Sequence, residues 1–413
     1  MKRREFLGVA AAGLARLKPR APVEQGGTRG FSRATAQAAS HSLVLSLSKD
    51  ERPRVIAAAD RFLNSSPVTL TAFRAARSTG GPHDFFSEGD YWWPDPANPS
   101  GPYIRRDGES NPDNFVEHRR ALMRLSVEMP ALTAAWRLTG EARYAEHARR
   151  HLRAWFVDSA TRMNADLRYA QAIHGVTPGR GTGIIDTIHL VEVARAIEVL
   201  RRGGALPEAE FQPIGTWFAD YVRWMTTDPN GIEERDAKNN HGTCWVMQVA
   251  AFASLTGDRG SLDMCRARFK NVLLPTQMAA DGGFPLELDR TKPYGYSLFN
   301  LDAMATICQI LDGPARAGRH EDTLWTFELA DGRGMRRALT YMAPFIADKQ
   351  LWKRPRDVQY FDEWPMRHPA LLFGGVALGE SRYVDLWKTL RADSDVEEVV
   401  RNFFIRQPVL WVE

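Results

Sequence analysis

Ala134-Ala-Trp-Arg-Leu-Thr-Gly-Glu141 and Ala251-Phe-Ala-Ser-Leu-Thr-Gly-Asp258 are two copies of one junction. In each, an apolar stretch runs into Leu-Thr-Gly and is followed by an acid. Glycine tolerates the left-handed conformation that closes a helix, and an acid suits the first turn of the next helix. The two copies therefore predict helical hairpins joined by the same kind of turn. Outward from them, apolar residues recur at spacings of three and four across Glu117–Leu138, Glu141–Phe156, Ile184–Leu200, Ala209–Met225, Gly242–Leu255, Leu262–Met278 and Asp322–Ile346. That is the period of helices with one buried stripe, and strand-like alternation is scarce. A hairpin cannot cover its own apolar stripe, so neighbours must stack on it. The stack either stays open as a solenoid or closes. The expected fold is all-α and closed, an α/α toroid (an incomplete α/α barrel of helical hairpins) whose concave end gathers the loops.

Composition agrees with a large core: of 413 residues 44% are hydrophobic and 10% aromatic, with 12 tryptophans. Lys+Arg exceeds Asp+Glu by only 54 to 50. Without a basic run or a nucleic-acid motif, this balance suits an anionic small or polymeric partner rather than DNA or RNA. Cys244, Cys265 and Cys308 lie far apart in apolar helical stretches, a spacing that fits buried free thiols and neither a zinc ribbon nor a disulfide framework. The chain starts Met1-Lys-Arg-Arg-Glu-Phe-Leu7, and the paired Arg3 and Arg4 precede an apolar run from Phe6 to Ala15 that is too short to span a bilayer. Residues 1–30 therefore read as a twin-arginine export signal, although Arg16-Leu-Lys-Pro-Arg20 obscures the cleavage site. The expected location is the periplasm or the exterior, as a monomer with no membrane attachment after export. Residues 31–53, rich in Ser, Ala, Arg and Gly, read as a linker or disordered leader, and 54–413 as a single toroid domain.

Two segments interrupt the helical rhythm. One is Ser87-Glu-Gly-Asp-Tyr-Trp-Trp-Pro-Asp-Pro-Ala-Asn-Pro99 with its continuation Gly101–Glu109; the other is Asn164–Asp186. Long loops pinned by prolines and carrying aromatics tend to serve function. Two further stretches carry reactive side chains. Asn239-Asn240-His241-Gly242-Thr243 sets an amide beside an imidazole at a helix start, where Asn240 is placed to cap the helix beginning near Gly242. Arg290-Thr-Lys-Pro-Tyr-Gly-Tyr296 offers a guanidinium able to grip a carboxylate in two places, and a phenol. The cations around Tyr296 are expected to pull its pKa below the usual ~10. Tyr294 is a rival two residues away. An amide, an imidazole, a guanidinium and a phenol are the parts needed to abstract a proton next to a carboxylate. Three of them neutralise the acid group, and the phenol or the imidazole moves the proton.

Asn-Asn-His-Gly-Thr, the Arg290–Tyr296 segment, and Asp90-Tyr-Trp-Trp-Pro-Asp-Pro96 with Tyr103-Ile-Arg-Arg-Asp-Gly-Glu109 together resemble the alginate-lyase domain superfamily. The likeness spans roughly residues 84–373 and is nearest to polysaccharide lyase family 38, the alginate and β-1,4-glucuronan lyases. It implies an α/α toroid that cuts a 1,4-linked polyuronate by β-elimination without metal or cofactor. By position it makes Asn240, His241 and Arg290 the carboxylate-neutralising group and Tyr296 the catalytic tyrosine. Older alginate lyases of the superfamily place their tyrosine one residue further from the arginine, so the chain departs from that branch.

Stereochemistry assigns the proton transfers. In mannuronate and glucuronate the C5 hydrogen and O4 share a face, so one residue, Tyr296, can remove the hydrogen and protonate the leaving oxygen. In guluronate they lie on opposite faces and His241 has to be the base. Trp92 and Trp93 are candidates for stacking on sugar rings, and Arg105, Arg106 and Arg180 for neighbouring carboxylates. Asn164, Tyr169 and Gln171 are expected on a cleft wall, with Asn239 and Tyr294 beside the substrate. His174, His189 and His368 read as structural, and Tyr360-Phe-Asp-Glu-Trp364 as a cleft wall or an acidic turn. Two other functions fit less of the sequence. A glycoside hydrolase on uronyl oligosaccharides needs two facing carboxylates, for which Asp186, Asp236 and Glu287 are available but unpaired in sequence. A glycan-binding protein would keep the arginines and tryptophans without needing Asn240 and His241 opposite a tyrosine.

Overall fold

The computed structural model describes residues 33–313 and 323–412. Fifteen α-helices occur among them. The first eight are α1 Arg33–Phe62, α2 Glu117–Thr139, α3 Ala142–Phe156, α4 Leu190–Arg202, α5 Glu208–Thr227, α6 Pro229–Arg235, α7 Asn240–Thr256 and α8 Arg259–Arg268. The rest are α9 Leu274–Gln277, α10 Pro285–Leu288, α11 Pro293–Leu311, α12 Met335–Ala347, α13 Pro369–Leu378, α14 Ser381–Thr389 and α15 Glu397–Asn402. Helices α2 and α3, α7 and α8, and α13 and α14 pair across short turns, and the helices stack into an α/α toroid around α7 and α11. Those two helices pack on each other, while α7 also meets α4, α5 and α8 and α11 meets α13. Both are apolar nearly all round because neighbours cover every face.

The repeated junctions behave as their sequence predicts. Gly140 and Gly257 close α2 and α7 in the left-handed region, with φ of 75° and 76°. Each donates its N–H to the carbonyl four residues back, Trp136 or Ala253. The acids then differ: Asp258 caps α8 by accepting from the Ser261 N–H, whereas Glu141 makes no such cap.

Several expected boundaries are overturned. The helix α1 runs through residues placed in the linker, and Leu47 and Glu51 are buried. Glu51 pairs with Arg54 of its own helix and with Arg367, so the helical body reaches back past residue 54. The export signal at 1–30 lies outside the described residues. Asp322–Ile346 is not one helix: Glu328 and Gly334 bridge a turn with Gly332 at φ 79°, and α12 starts only at Met335. Ile184–Leu200 opens as a 3₁₀ turn, Gly181–Thr187, before α4, and Leu262–Met278 is interrupted by a π turn at Phe269–Leu273. The three cysteines are buried free thiols.

The two irregular segments fold into small sheets at one end of the helical stack. Strand β1 (Phe86–Glu88) pairs in parallel with β4 (Tyr169–Ala172), while β2 (Trp92–Trp93) pairs antiparallel with β3 (Ile104–Arg105). Among the described residues, no helix is long and apolar enough to cross a membrane.

Candidate active site

A cleft of about 420 Å³ opens at this end, between the small sheets and the start of α7. His241, Asn240, Arg290 and Tyr296 all line it. His241 is held by a partner seven residues away, and the other three by partners far away in sequence.

The start of α7 is fixed from outside. Asn239 occupies the cap position in extended conformation without a side-chain cap. Helix α7 begins at Asn240, two residues earlier than the sequence placed it. The Asn240 side chain does not cap it. Instead its backbone N–H and Nδ2 both donate to Glu287, at 2.7 and 2.8 Å. A buried carboxylate from α10 thus replaces the cap and locks the amide. Burial pushes the Glu287 carboxyl upward, against Asn240, Arg290 and His241, which favour its charged form. Gly242 is required by crowding, since a Cβ there would lie 2.3 Å from the Ala237 carbonyl oxygen. His241 places Nδ1 2.7 Å from the buried carboxylate of Glu234 on α6. Asp228 caps α6 and Pro229 opens it, which positions Glu234. With Nδ1 so engaged, Nε2 is the nitrogen left for the cleft.

Arg290 is held over Tyr296. Its Nε and Nη2 donate to Asp107 at 3.1 and 2.9 Å, Thr291 Oγ1 donates to the same carboxylate, and the guanidinium lies 4.3 Å from the Tyr296 ring centre. Burial raises the Asp107 pKa, but the bonds and charge of Arg290 outweigh it and hold the carboxyl at about 2. Tyr296 Oη lies 2.8 Å from Tyr91 Oη. The expected lowering of the Tyr296 pKa is overturned. Burial, then the neighbouring Tyr91, push the phenol well above its ordinary value, and Arg290 opposes them without prevailing. Counting nearby cations misses the cost of desolvating a phenolate.

Tyr294 is excluded from the site. Two residues on a helix turn by about 200°, so Tyr294 and Tyr296 face opposite ways. Tyr294 is fully buried, donates to the Phe345 carbonyl at 3.0 Å and packs edge-on against Trp352. Of the substrate-binding candidates, Trp92, Arg105, Gln171, Arg180 and Asn239 line the cleft. The Arg180 guanidinium lies 5.7 Å from the Trp92 ring centre and donates to the Gln171 carbonyl and side-chain oxygens at 3.1 and 2.8 Å. Gln171 adopts φ +48°, uncommon for a non-glycine residue, and its N–H donates to Ser87 Oγ.

Trp93, Arg106, Asn164 and Tyr169 are not among the cleft residues. Successive residues of a strand face opposite ways, so β2 cannot present both tryptophans. Trp93 donates to the Glu109 carbonyl and lies under the Arg106 guanidinium at 4.9 Å. Asn164 binds Asp84, and the Tyr169 ring lies against Gly80, where a Cβ would come within 2.6 Å of it.

Sequence reasoning missed the buried charges beneath the cleft. Arg119 grips Asp90 at 2.6 and 2.9 Å and reaches Asp186 at 3.4 Å, and Arg401 binds Asp90 at 2.6 Å. Arg119 and Arg401 together overcome burial and hold the Asp90 carboxyl well below the usual range. Asp90 sits in the Asp90-Tyr-Trp-Trp-Pro motif, which was the available signal. The carboxylates considered for hydrolysis are engaged elsewhere: Asp186 by Ser87 and Arg119, Asp236 by Arg235 and Arg268, and Glu287 by Asn240.

A helical toroid whose cleft joins an amide, an imidazole, a guanidinium and a phenol defines a polysaccharide lyase. The chain belongs to the alginate lyase family, whose model matches residues 69–352. Its structure is similar to the crystal structure of an alginate lyase from Bacteroides ovatus, with 27% identity and a TM-score of 0.76 over 91% of this chain and 97% of that one. It shares its fold with a variant of alginate lyase A1-III complexed with a tetrasaccharide, at 14% identity and a TM-score of 0.52 over 82% of this chain and 84% of that one. It also shares it with an apo form of a second A1-III variant, at 15% identity and 0.52 over 89% and 94%. No curated protein matches the sequence.

Proposed function

We propose that the enzyme cleaves alginate, as polymannuronate-rich chains, or the related β-1,4-glucuronan by metal-independent β-elimination. The observation that carries the proposal is one cleft lined by Asn240, His241, Arg290 and Tyr296, with the Arg290 guanidinium over the Tyr296 ring. The family and the Bacteroides ovatus alginate lyase support alginate as the substrate class.

In this mechanism the uronate carboxylate lies against Asn240, His241 and the part of Arg290 that Asp107 leaves free. Their donors stabilise the charge that grows on the carboxylate as C5 loses its hydrogen. On mannuronate or glucuronate, ionised Tyr296 takes that hydrogen as a proton and the C5–H electron pair forms the C4=C5 double bond. The C4–O4 bond breaks with its electrons on O4, and Tyr296 returns the proton to O4. Burial and the neighbouring Tyr91 keep the resting phenol protonated, and the group that favours its ionised form is the Arg290 guanidinium, 4.3 Å from the ring centre. A second route is favoured by the Glu234–His241 contact. A ring engaged through Nδ1 leaves Nε2 able to take the guluronate hydrogen from the opposite face, with Tyr296 acting only as acid. Arg105, Arg180 and Trp92 are placed for neighbouring sugars. Export through the twin-arginine route, proposed from Arg3 and Arg4, brings the enzyme to the polymer; replacing both with lysine should keep it in the cytoplasm on cell fractionation.

The test is absorbance of the unsaturated uronate on incubation with polymannuronate, polyguluronate, β-1,4-glucuronan, polygalacturonate and hyaluronan, with and without chelator. A rise on polymannuronate or glucuronan that survives chelation is expected. New reducing ends without absorbance would point to a hydrolase, and neither signal to a binding protein. A chelator-sensitive rise restored by calcium would overturn the metal-free mechanism.

A further inference from the structure

Next to Tyr296, and outside the residues that line the cleft, lies a charge pair that the mechanism above does not use. Lys292 stands one turn before Tyr296, at the start of α11, and is buried. Its Nζ binds Glu398 Oε1 at 2.9 Å and lies 5.4 Å from the centre of the Tyr91 ring. Arg290 occupies the equivalent place over Tyr296, so the hydrogen-bonded phenols sit between two cations. Glu398 belongs to α15, outside the residues that the family model matches. The same short helix sends Arg401 and Asn402 into the cleft wall, and Asn402 Nδ2 donates to the Glu398 carbonyl at 2.8 Å. A small cavity of about 20 Å³, lined among others by Lys292, Glu398, Tyr296 and Asn402, lies between these groups. It has room for roughly one water.

We infer that the Lys292–Glu398 pair is a positioning device that sets how readily the Tyr91–Tyr296 phenols release a proton, and that the C-terminal helix therefore takes part in catalysis. The inference rests on Tyr296 exchanging protons with the substrate. Lys292 faces Glu398 and Arg401 from α15, Tyr91 from the β1–β2 turn, and Tyr360 and Asp357 from the segment after α12. The phenols face Arg290 and its partner Asp107 from the other side. Arg401 is balanced by Asp90, which Arg119 shares with Asp186. Lys292, Arg401 and Arg119 thus match Glu398, Asp90 and Asp186 in charge. In such a neutral cluster, deleting one member leaves its partner's charge uncompensated next to the phenols, where low dielectric magnifies its effect.

The sign of the effect depends on which member is removed. Without Lys292, Glu398 keeps only Arg401, 3.5 Å away and shared with Asp90, and a phenolate at Tyr91 becomes costlier. Without the Glu398 charge, Lys292 favours the phenolate. The experiment is the pH profile of kcat and kcat/KM on the polymer that the enzyme cleaves, for Lys292→Met, Lys292→Arg, Glu398→Gln and the double variant Lys292→Met/Glu398→Leu, with Tyr296→Phe alongside. The tyrosine-controlled limb should move up by about one pH unit in Lys292→Met and down by a similar amount in Glu398→Gln. It should stay in place in Lys292→Arg and return towards the wild-type position in the double variant. A merely structural pair would lower activity or stability in all of them without opposite shifts. Glu398→Gln strands no carboxylate, so an unmoved limb in that variant, with wild-type circular dichroism, overturns the inference even if Lys292→Met does not fold. Failure of the underlying mechanism is separately visible, since Tyr296→Phe would then stay active.

Discussion

Replacing Asp107 with Asn tests whether Arg290 is a free substrate ligand or a clamped one. In the folded protein Asp107 accepts from Arg290 Nε and Nη2, from Thr291 Oγ1 and from Arg105. Asn keeps the shape and one acceptor, but replaces the other oxygen with an amide NH2, a donor facing guanidinium N–H donors. The carboxyl is held at about 2, below its ordinary value of 3.8. At about 1.4 kcal/mol per unit this sets an upper bound near 2.5 kcal/mol. Since 23% of the side chain is exposed and solvent screens the pair, roughly 1 kcal/mol is the expected loss of stability at pH 7. The sign follows from linkage. A carboxyl depressed on folding contributes fully above its unfolded pKa of about 4, and that contribution is lost as pH falls towards 2. Urea unfolding should therefore show wild type and Asp107→Asn converging between pH 4 and 2, and about 1 kcal/mol apart at neutral pH. In activity, loosening the guanidinium over Tyr296 should lower kcat about tenfold, because orientation of a charge-stabilising group is part of its effect. Equal stability across that range, together with kcat within twofold of wild type, would show that the clamp does nothing.

Other substitutions separate roles in the same way. Tyr296→Phe should abolish nearly all unsaturated product while binding of oligouronate persists, whereas Tyr294→Phe should stay within a few-fold of wild type; the reverse pattern would exchange the two tyrosines. Arg290→Ala should cost on the order of 10²-fold in kcat/KM, and a loss under fivefold in steady-state assays would make it a surface arginine. Gly242→Ala forces a Cβ into the Ala237 carbonyl and should destabilise by about 1–3 kcal/mol in chemical unfolding; an unchanged midpoint would mean that the start of α7 is free to shift.

What the sequence made legible depended on how local the cause was. The Leu-Thr-Gly junctions announced their turns because the left-handed glycine is set within a few residues of chain. Asn240-His241 and Arg290–Tyr296 were legible as chemistry because their groups are unusual in combination. The helical angle alone would have separated Tyr294 from Tyr296. The linker was misplaced because α1 has little amphipathic pattern of its own and is recognised only by the residues packed on it, Arg367 and the Leu138 carbonyl among them.

The site's second layer could not be read in the same way. Glu234, Glu287, Asp107 and Glu398 lie 7, 47, 183 and 106 residues from His241, Asn240, Arg290 and Lys292, the groups they hold. Carboxylates are ordinary surface residues, and nothing in their neighbours along the chain marks them for burial. The misjudged Tyr296 shows the consequence. Its cationic neighbours were visible in sequence, but the desolvation that outweighs them exists only once α11 and the β1–β2 turn close over the ring. In the proposed mechanism the four reactive groups define which reaction is possible, and the acids behind them set its proton affinities. In a toroid those acids come from whichever hairpins happen to meet beneath the cleft. For that reason, changes in α15, far from the motifs in sequence, are expected to tune the pH dependence without altering the chemistry.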